Sequence, residues 1–195
     1  MTGPDLVTAP DGIPRCFWVG SASEYLAYHD DEWGRPVHGE RALYERITLE
    51  SFQAGLSWLT ILRKREGLRA AFAGFDPEAV ARFGPTRRAA LLADTAIVRN
   101  AAKIDAAIAN ARAVLALRDH GGLDALVWSH VPAAHRPPAT RADLRATTPE
   151  SVALAGALKG SGLRFVGPTT AYAAMQACGL VDDHLAGCHR AGVGR

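Results

Sequence analysis

Residues 47–58 read Ile47-Thr48-Leu49-Glu50-Ser51-Phe52-Gln53-Ala54-Gly55-Leu56-Ser57-Trp58. A helix over 40–54 puts Leu43, Ile47 and Ala54 on one face, and Glu50, three residues beyond Ile47, falls on the same apolar stripe. The helix therefore aims a carboxylate inward. Gly55 then acts as a helix stop, Leu56 protrudes, and Ser57 caps a second helix whose first turn holds Trp58. An inward Glu, a protruding Leu and a Trp share one helix–helix corner. The same spacing also fits a solvated Glu beside a core Trp, because Glu is rarely buried without a partner, and periodicity leaves both readings open.

Outward from this corner, composition sets the class. The 195 residues are 48% hydrophobic, enough for one domain with a sizeable core. Alanine is abundant, Gly and Pro interrupt the chain at short intervals, and apolar residues recur at three- and four-residue spacing, so we expect an all-α protein of many short helices. Residues 1–13, with Pro4, Pro10 and Gly12, read as an irregular extension, and 14–195 as a single helical domain. A net charge of +2 permits a nucleic-acid partner without demanding one. No apolar run is long enough to span a membrane, and the N-terminus lacks a basic segment followed by an apolar one, so a cytoplasmic protein without a membrane partner is expected. Three cysteines, Cys16, Cys178 and Cys188, give no disulfide framework and point to thiols in a reducing compartment or on a metal.

Taken in order, a helix over 22–30 behind a Ser21 cap carries Tyr25 and Tyr28 on one face and His29 on the next. Trp33 follows in a loop held irregular by Gly34 and Pro36. The helix over 58–72 carries Arg63, Lys64, Arg65 and Arg69, for which a solvated face is explanation enough. Asp76-Pro77 opens a short helix, another spans 86–93, and a longer one spans 99–118 with Ile104, Ile108, Ala111 and Leu115 as its stripe and Lys103 and Arg112 beside it. After Gly121-Gly122 comes a helix over 123–130. The 131–147 loop carries Arg136, Arg141 and Arg145, which fit phosphate contact and plain solubility equally well. Thr147 and Glu150 form a capping box opening a helix to 159. Residues 160–167, GSGLRFVG, make a glycine-bounded hairpin before a helix over 168–177. Helix, hairpin, helix can aim backbone N–H groups at a phosphate, although any turn between two helices uses glycine.

Metal ligands stand at both ends of the chain. Cys16 and His29 lie near the N-terminus, while His184 and Cys188 are spaced i, i+4, as on one helical turn. Two thiolates with two imidazoles suit tetrahedral Zn²⁺, and four protein ligands leave no open position. Such a zinc would be structural, clamping the chain ends together. His189 and Cys178 compete for places in the set.

Together these residues resemble the DNA-3-methyladenine glycosylase I family, a constitutive bacterial alkylation-repair family of the helix–hairpin–helix superfamily. The matching stretches are Arg15-Cys16-x-Trp18-Val19, Tyr25-x-x-Tyr28-His29-Asp30-x-Glu32-Trp33-Gly34, Leu49-Glu50-x-x-Gln53-Ala54-Gly55-Leu56-Ser57-Trp58, Phe165-Val166-Gly167, Met175-Gln176-Ala177-Cys178-Gly179-Leu180-Val181, Asp183-His184 and Gly187-Cys188. The resemblance runs through most of 15–190, leaving the first dozen residues and the arginine-bearing loop uncovered. It implies a helix–hairpin–helix glycosylase fold with one structural Zn²⁺ per chain on Cys16, His29, His184 and Cys188. It implies that Glu50 and Tyr28 hydrogen-bond an extruded base, that Trp58 stacks on it, and that Tyr25, Trp18 and Trp33 line the pocket. Gly55 and Leu56 would enter the duplex at the vacated position, and the Phe165-Val166-Gly167 hairpin would meet the DNA backbone.

The implied partners are alkylated double-stranded DNA and free 3-methyladenine as product, with the protein a monomer. The implied reaction is hydrolysis of an N-glycosidic bond already weakened by the positive charge that N3-methylation gives adenine, with the base flipped out of the stack. Thr169 stands near the position where lysine marks enzymes that also cleave the backbone, which argues for a monofunctional glycosylase. Asp182 either faces the sugar or orients a neighbour beside His184, and the crowded turn favours the second. Among competing readings, a glycosylase of altered base preference keeps all these parts. A zinc-stabilised DNA-binding module has no use for an inward Glu50, and a helical zinc protein that engages another protein leaves Leu56 unexplained.

Overall fold

Apolar spacing and capping residues translate into nine α-helices in a computed structural model that describes residues 5–193. They are α1 (Ser23–Asp31), α2 (Glu40–Gln53), α3 (Trp58–Ala71), α4 (Pro77–Ala81), α5 (Pro85–Ala93), α6 (Ala101–Ala116), α7 (Gly122–Trp128), α8 (Pro149–Gly160) and α9 (Pro168–Ala177). Helix α2 is the centre, packing against α3, α6, α7 and α9. Its Leu43, Tyr44, Ile47, Leu49 and Phe52 are buried with Ile61 and Leu68 of α3, Ile104 and Val114 of α6, and Met175 of α9. Each such side chain contributes about 1.5–3 kcal/mol by leaving water. The one polar atom Tyr44 brings inside donates to the Ala107 carbonyl at 2.9 Å.

The corner after α2 forms for local reasons. Gly55 takes φ +80°, a left-handed value that favours glycine, and Ser57 Oγ accepts the Thr60 amide hydrogen at 3.2 Å to cap α3. A third support comes from Lys103 at the start of α6, whose Nζ donates to the carbonyls of Phe52 at 2.9 Å and Ala54 at 2.5 Å. These are carbonyls that the end of α2 leaves without helical partners. Ala54 itself is exposed, so the apolar stripe of α2 ends at Glu50 rather than running to Ala54.

Several sequence expectations need correction. Leu6–Thr8 pairs antiparallel with Pro14–Cys16, Leu6 opposite Cys16, so the extension over 1–13 is not irregular throughout; its residues 1–4 lie outside the described ones. Strands of three residues are too short to show a period of two. Helix α1 begins after Ala22 with no side-chain cap, so Ser21 does not cap it. The capping box of α8 sits one residue later than the Thr147–Glu150 pair: Thr148 Oγ1 accepts the Ser151 amide hydrogen at 3.2 Å, and Ser151 Oγ accepts that of Thr148 at 2.9 Å. Pro149 still opens the helix. On α6, Val114 is buried and Leu115 only half-buried, because the following tight turn over Leu117–His120 shifts the stripe.

The 131–147 loop is anchored rather than free. The Pro138 carbonyl accepts from the Ala186 amide at 3.0 Å, Asp5 accepts from the Arg141 amide at 2.8 Å, and the Arg141 guanidinium lies 3.7 Å from the Phe17 ring centroid. No helix among the described residues is long and apolar enough to cross a membrane.

Candidate active site

Four elements converge beside the corner. The turn over Phe17–Val19 brings Trp18, α1 brings Tyr25 and Tyr28, α2 brings Glu50, and α3 brings Trp58, while Trp33 follows α1. All six line one cavity of about 250 Å³. That is below the roughly 300–1,000 Å³ of sites for drug-sized ligands, a scale suited to a single planar ring system. The Tyr28 and Trp58 ring centroids are 5.2 Å apart, and Trp18 packs edge-on to Trp33 at 5.0 Å. Tyr25 Oη accepts the Leu59 amide hydrogen at 3.1 Å, which joins α1 to the first turn of α3. The indole N–H of Trp58 is buried with no partner among the described residues. Gln53, Ala173 and Gln176 complete the lining, and the sequence reading assigned a pocket role to none of them.

Glu50 is only 6% exposed, so of the two readings of the stripe the inward one holds. Loss of water pushes its carboxyl up to about 8, against the opposing pull of the Arg46 charge. Arg46 is committed elsewhere, to Glu32 at 2.8 Å, and Glu32 is shared with Arg65 at 2.7 Å. Burial, and secondarily the Glu50 charge, raises the Tyr28 hydroxyl well above its ordinary value. Both shifts favour the neutral forms, a carboxyl group and a phenol each able to donate or accept a hydrogen bond.

The surface beside the cavity carries the protruding residues. Leu56 is 38% exposed at the tip of a turn closed by Leu56 N–H to the Gln53 carbonyl at 2.7 Å and by Gln53 Nε2 to the Leu56 carbonyl at 3.0 Å. The turn between α8 and α9 exposes Phe165 in a left-handed conformation, φ +58°. Val166 turns into the core instead, so only its backbone is available to a ligand, and Gly167 caps α9. Two contacts hold this turn: Ser51 Oγ donates to the Phe165 carbonyl at 3.1 Å, and the Asn110 amide brackets the Arg164 backbone at 2.7 and 3.0 Å. Helix α2 therefore carries Glu50 and, through Ser51, a tie to the hairpin. Of the basic residues of α3, Arg63 is exposed and pairs with Glu24, while Lys64, Arg65 and Arg69 are half-buried, held by the Thr95 carbonyl, Glu32 and Glu45, so only part of this face is solvated.

The ligating residues from the two chain ends also meet. The ligand atoms of Cys16, His29 and Cys188 all lie within 4.8 Å of one another, Cys188 Sγ being 3.3 Å from His29 Nε2. His184 stands against them with its ring centroid 5.0 Å from that of His29, and its Nε2 is buried without a partner among the described residues. The i, i+4 spacing of His184 and Cys188 does not reflect a helix, since residues 181–190 are irregular and Gly187 sits at φ +85°. Hydrogen bonding from Cys16 and His29 holds the Cys188 thiol well below the ordinary thiol range, and the bond between the two cysteines raises Cys16. Each imidazole has a carboxylate on its far nitrogen: Asp30 Oδ1 is 2.8 Å from His29 Nδ1, and Asp182 Oδ1 is 2.8 Å from His184 Nδ1. Cys16, His29 and Cys188, with His184 beside them, thus form a candidate metal-binding group of two sulfur and two imidazole donors. Asp182 spends its other oxygen on the Gly192 amide at 2.7 Å, which is an orienting position. His189 approaches His29 and Asp30 from outside this set, and Cys178 is buried in the main core.

A second, larger cavity of about 660 Å³ lies beneath the 131–147 loop, lined largely by prolines and charged side chains, with no stacked aromatic platform. Arg136 and Arg145 border it.

Residues 18–191 match the methyladenine glycosylase family. The chain is 46% identical over 182 residues to DNA-3-methyladenine glycosylase 1 of Escherichia coli, covering 90% of this chain and 96% of that one. It is 45% identical over 179 residues to DNA-3-methyladenine glycosylase of Haemophilus influenzae, covering 89% and 96%. In three dimensions it superposes on 3-methyladenine DNA glycosylase I of Staphylococcus aureus, a structure solved for the basis of 3-methyladenine recognition, with a TM-score of 0.87 at 32% identity over 93% of this chain and 98% of that one. With the match spanning nearly its whole length, the chain belongs to the methyladenine glycosylase family.

Proposed function

We propose that this protein excises 3-methyladenine from alkylated duplex DNA by hydrolysing its N-glycosidic bond after the base has turned out of the helix into the aromatic cavity. The observation that carries the reading is a buried carboxyl group, Glu50, on the wall of a small aromatic cavity beside the exposed Leu56. Leu56, on its glycine turn, fills the space that the base leaves, and Gly55 lets the backbone approach the duplex. Turning a base out costs a few kcal/mol, least for a lesion that pairs poorly, and an inserted apolar side chain offsets part of it. The exposed hairpin around Phe165, Val166 and Gly167 meets the backbone of the same duplex.

Inside the cavity Trp58 stacks on the base and Tyr25, Trp18 and Trp33 enclose it, an electron-rich surround that favours a cationic ring. Tyr28 and Glu50 read its edge. A neutral Glu50 offers one donor and one acceptor, matching a ring nitrogen and the exocyclic amine of adenine; as the carboxylate it accepts from the amine and stabilises the positive ring. The bond from the sugar C1′ to the base breaks with its electron pair moving into the ring, so neutral 3-methyladenine leaves without needing a proton. Water adds to C1′ and releases its proton to solvent. Nothing in this scheme requires an amine nucleophile, in keeping with a monofunctional enzyme.

Cys16, His29, His184 and Cys188 would hold one Zn²⁺, which with four protein ligands supplies a clamp and no open coordination position. The described residues from 14 onward act as one largely helical unit, as a monomer in the cytoplasm. The test is to incubate the protein with methylated duplex DNA and chromatograph the free bases. Release of 3-methyladenine alone is expected; a broad set of methylated purines would replace the reading with a glycosylase of relaxed preference, and no free base would overturn it.

A further inference from the structure

Gln176 lines the aromatic cavity from α9, and its amide is not free to turn. Its Nε2 donates to Asp183 Oδ2 at 2.6 Å, and the same oxygen accepts from Tyr172 Oη at 2.7 Å. Asp183 is 5% exposed, and His135 Nε2 stands 3.2 Å from its other oxygen. A carboxylate oxygen accepts only, so the reversed amide would set two acceptors against each other at hydrogen-bond distance. The amide is therefore fixed with Nε2 toward Asp183. Its Oε1 accepts from no described residue.

We infer that Gln176 Oε1 is a fixed acceptor that reads the exocyclic C6 substituent of the bound purine, so that Gln176 determines specificity and Asp183, with Tyr172 and His135, positions it. The inference rests on the cavity being the base pocket. An amine at C6 satisfies this acceptor. A keto oxygen at C6 meets it as a second acceptor and leaves both unpaired in a dry site, which is the kind of mismatch that rejects an analogue strongly. Glu50 can adapt to either substituent by gaining or losing its proton; the Gln176 amide, held by Asp183, cannot. The pocket thus contains one adjustable reader and one fixed reader.

The test uses duplex DNA methylated to carry both 3-methyladenine and 3-methylguanine, and measures initial release of each by the wild type, Gln176→Met and Asp183→Asn. Gln176→Met keeps the length of the side chain and removes the acceptor. Asp183→Asn supplies a donor to Oε1 and lets the amide turn its Nε2 toward the cavity. In both variants the 3-methylguanine released per 3-methyladenine should rise about tenfold, the size of one good base-edge contact. A packing role alone would lower both releases equally, so an unchanged ratio in the variants overturns the inference while leaving the base-pocket reading intact. A wild type that releases neither base removes the pocket reading, and this inference with it. Circular dichroism and metal content accompany each variant, and if Gln176→Met does not fold, the ratio in Asp183→Asn decides.

Discussion

Glu50 sits where an ionisable side chain is costly to keep, 6% exposed on the inner face of α2 with Arg46 drawn away to Glu32. That cost is measurable. Burial raises its carboxyl to about 8 from an ordinary 4.5, so the folded protein holds the proton over a range in which the unfolded chain has lost it. The wild type therefore loses stability, relative to Glu50→Gln, as pH rises from about 4.5 to about 8, and the gap levels off above that. Denaturant melts at pH 5 and pH 8 should show the difference widening by an amount on the order of a few kcal/mol. A constant difference across that range would mean that Glu50 is ionised at neutral pH. Tyr28 beside it is raised in the same direction by burial, so the two are expected to be neutral together.

At the scale of elements, the corner and the hairpin depend on polar side chains that reach from neighbouring helices to backbone groups. Lys103 ties the end of α2, and Asn110 on the same α6 brackets the hairpin backbone. Lys103→Met leaves the Phe52 and Ala54 carbonyls short of a donor and should cost about 1–3 kcal/mol of stability. The same variant should lose release from duplex DNA while still binding free 3-methyladenine, followed by tryptophan fluorescence, because the turn carrying Leu56 loosens and the cavity does not. Equal loss in both measurements would show that Lys103 serves the whole core. The helices were readable because apolar residues recur at 3.6-residue spacing and because Ser57, Asp76 and Gly55 mark boundaries through their own chemistry. Lys103 was not, since a lysine in the first turn of a helix gives no sign of pointing inward. Gln176 was hidden for a related reason: its role depends on Asp183, seven residues on and beyond the end of α9. The ribbon of Leu6–Thr8 and Pro14–Cys16 left no periodic trace at all.

At the scale of the whole molecule, the chain closes on itself where its two ends supply Cys16, His29, His184 and Cys188. The sequence offered four candidate ligands, but the helical turn inferred for His184 and Cys188 is absent; irregular backbone around Gly187 brings them in, and spacing alone cannot tell the two apart. Gly34 shows how closely that closure is packed: at φ +77°, a Cβ there would lie 2.8 Å from His184 Cε1. Metal analysis should find about one zinc per chain, and stripping it with a chelator should lower the melting temperature. Gly34→Ala should weaken zinc retention more than it disturbs the α2–α6 core, read by metal content against helical circular dichroism. Cys16 and Cys188 share a cluster with Tyr28 and Trp33 that packs against Trp18 and Trp58, so disturbing these proposed ligands should also reach the pocket. The central claim remains that a buried carboxyl on the wall of an aromatic cavity selects and holds the flipped base. It is tested most directly by comparing wild type with Glu50→Ala for 3-methyladenine release and for affinity to the same methylated duplex. Release should fall by roughly a hundredfold or more with duplex affinity nearly unchanged; undiminished release by Glu50→Ala would contradict the account.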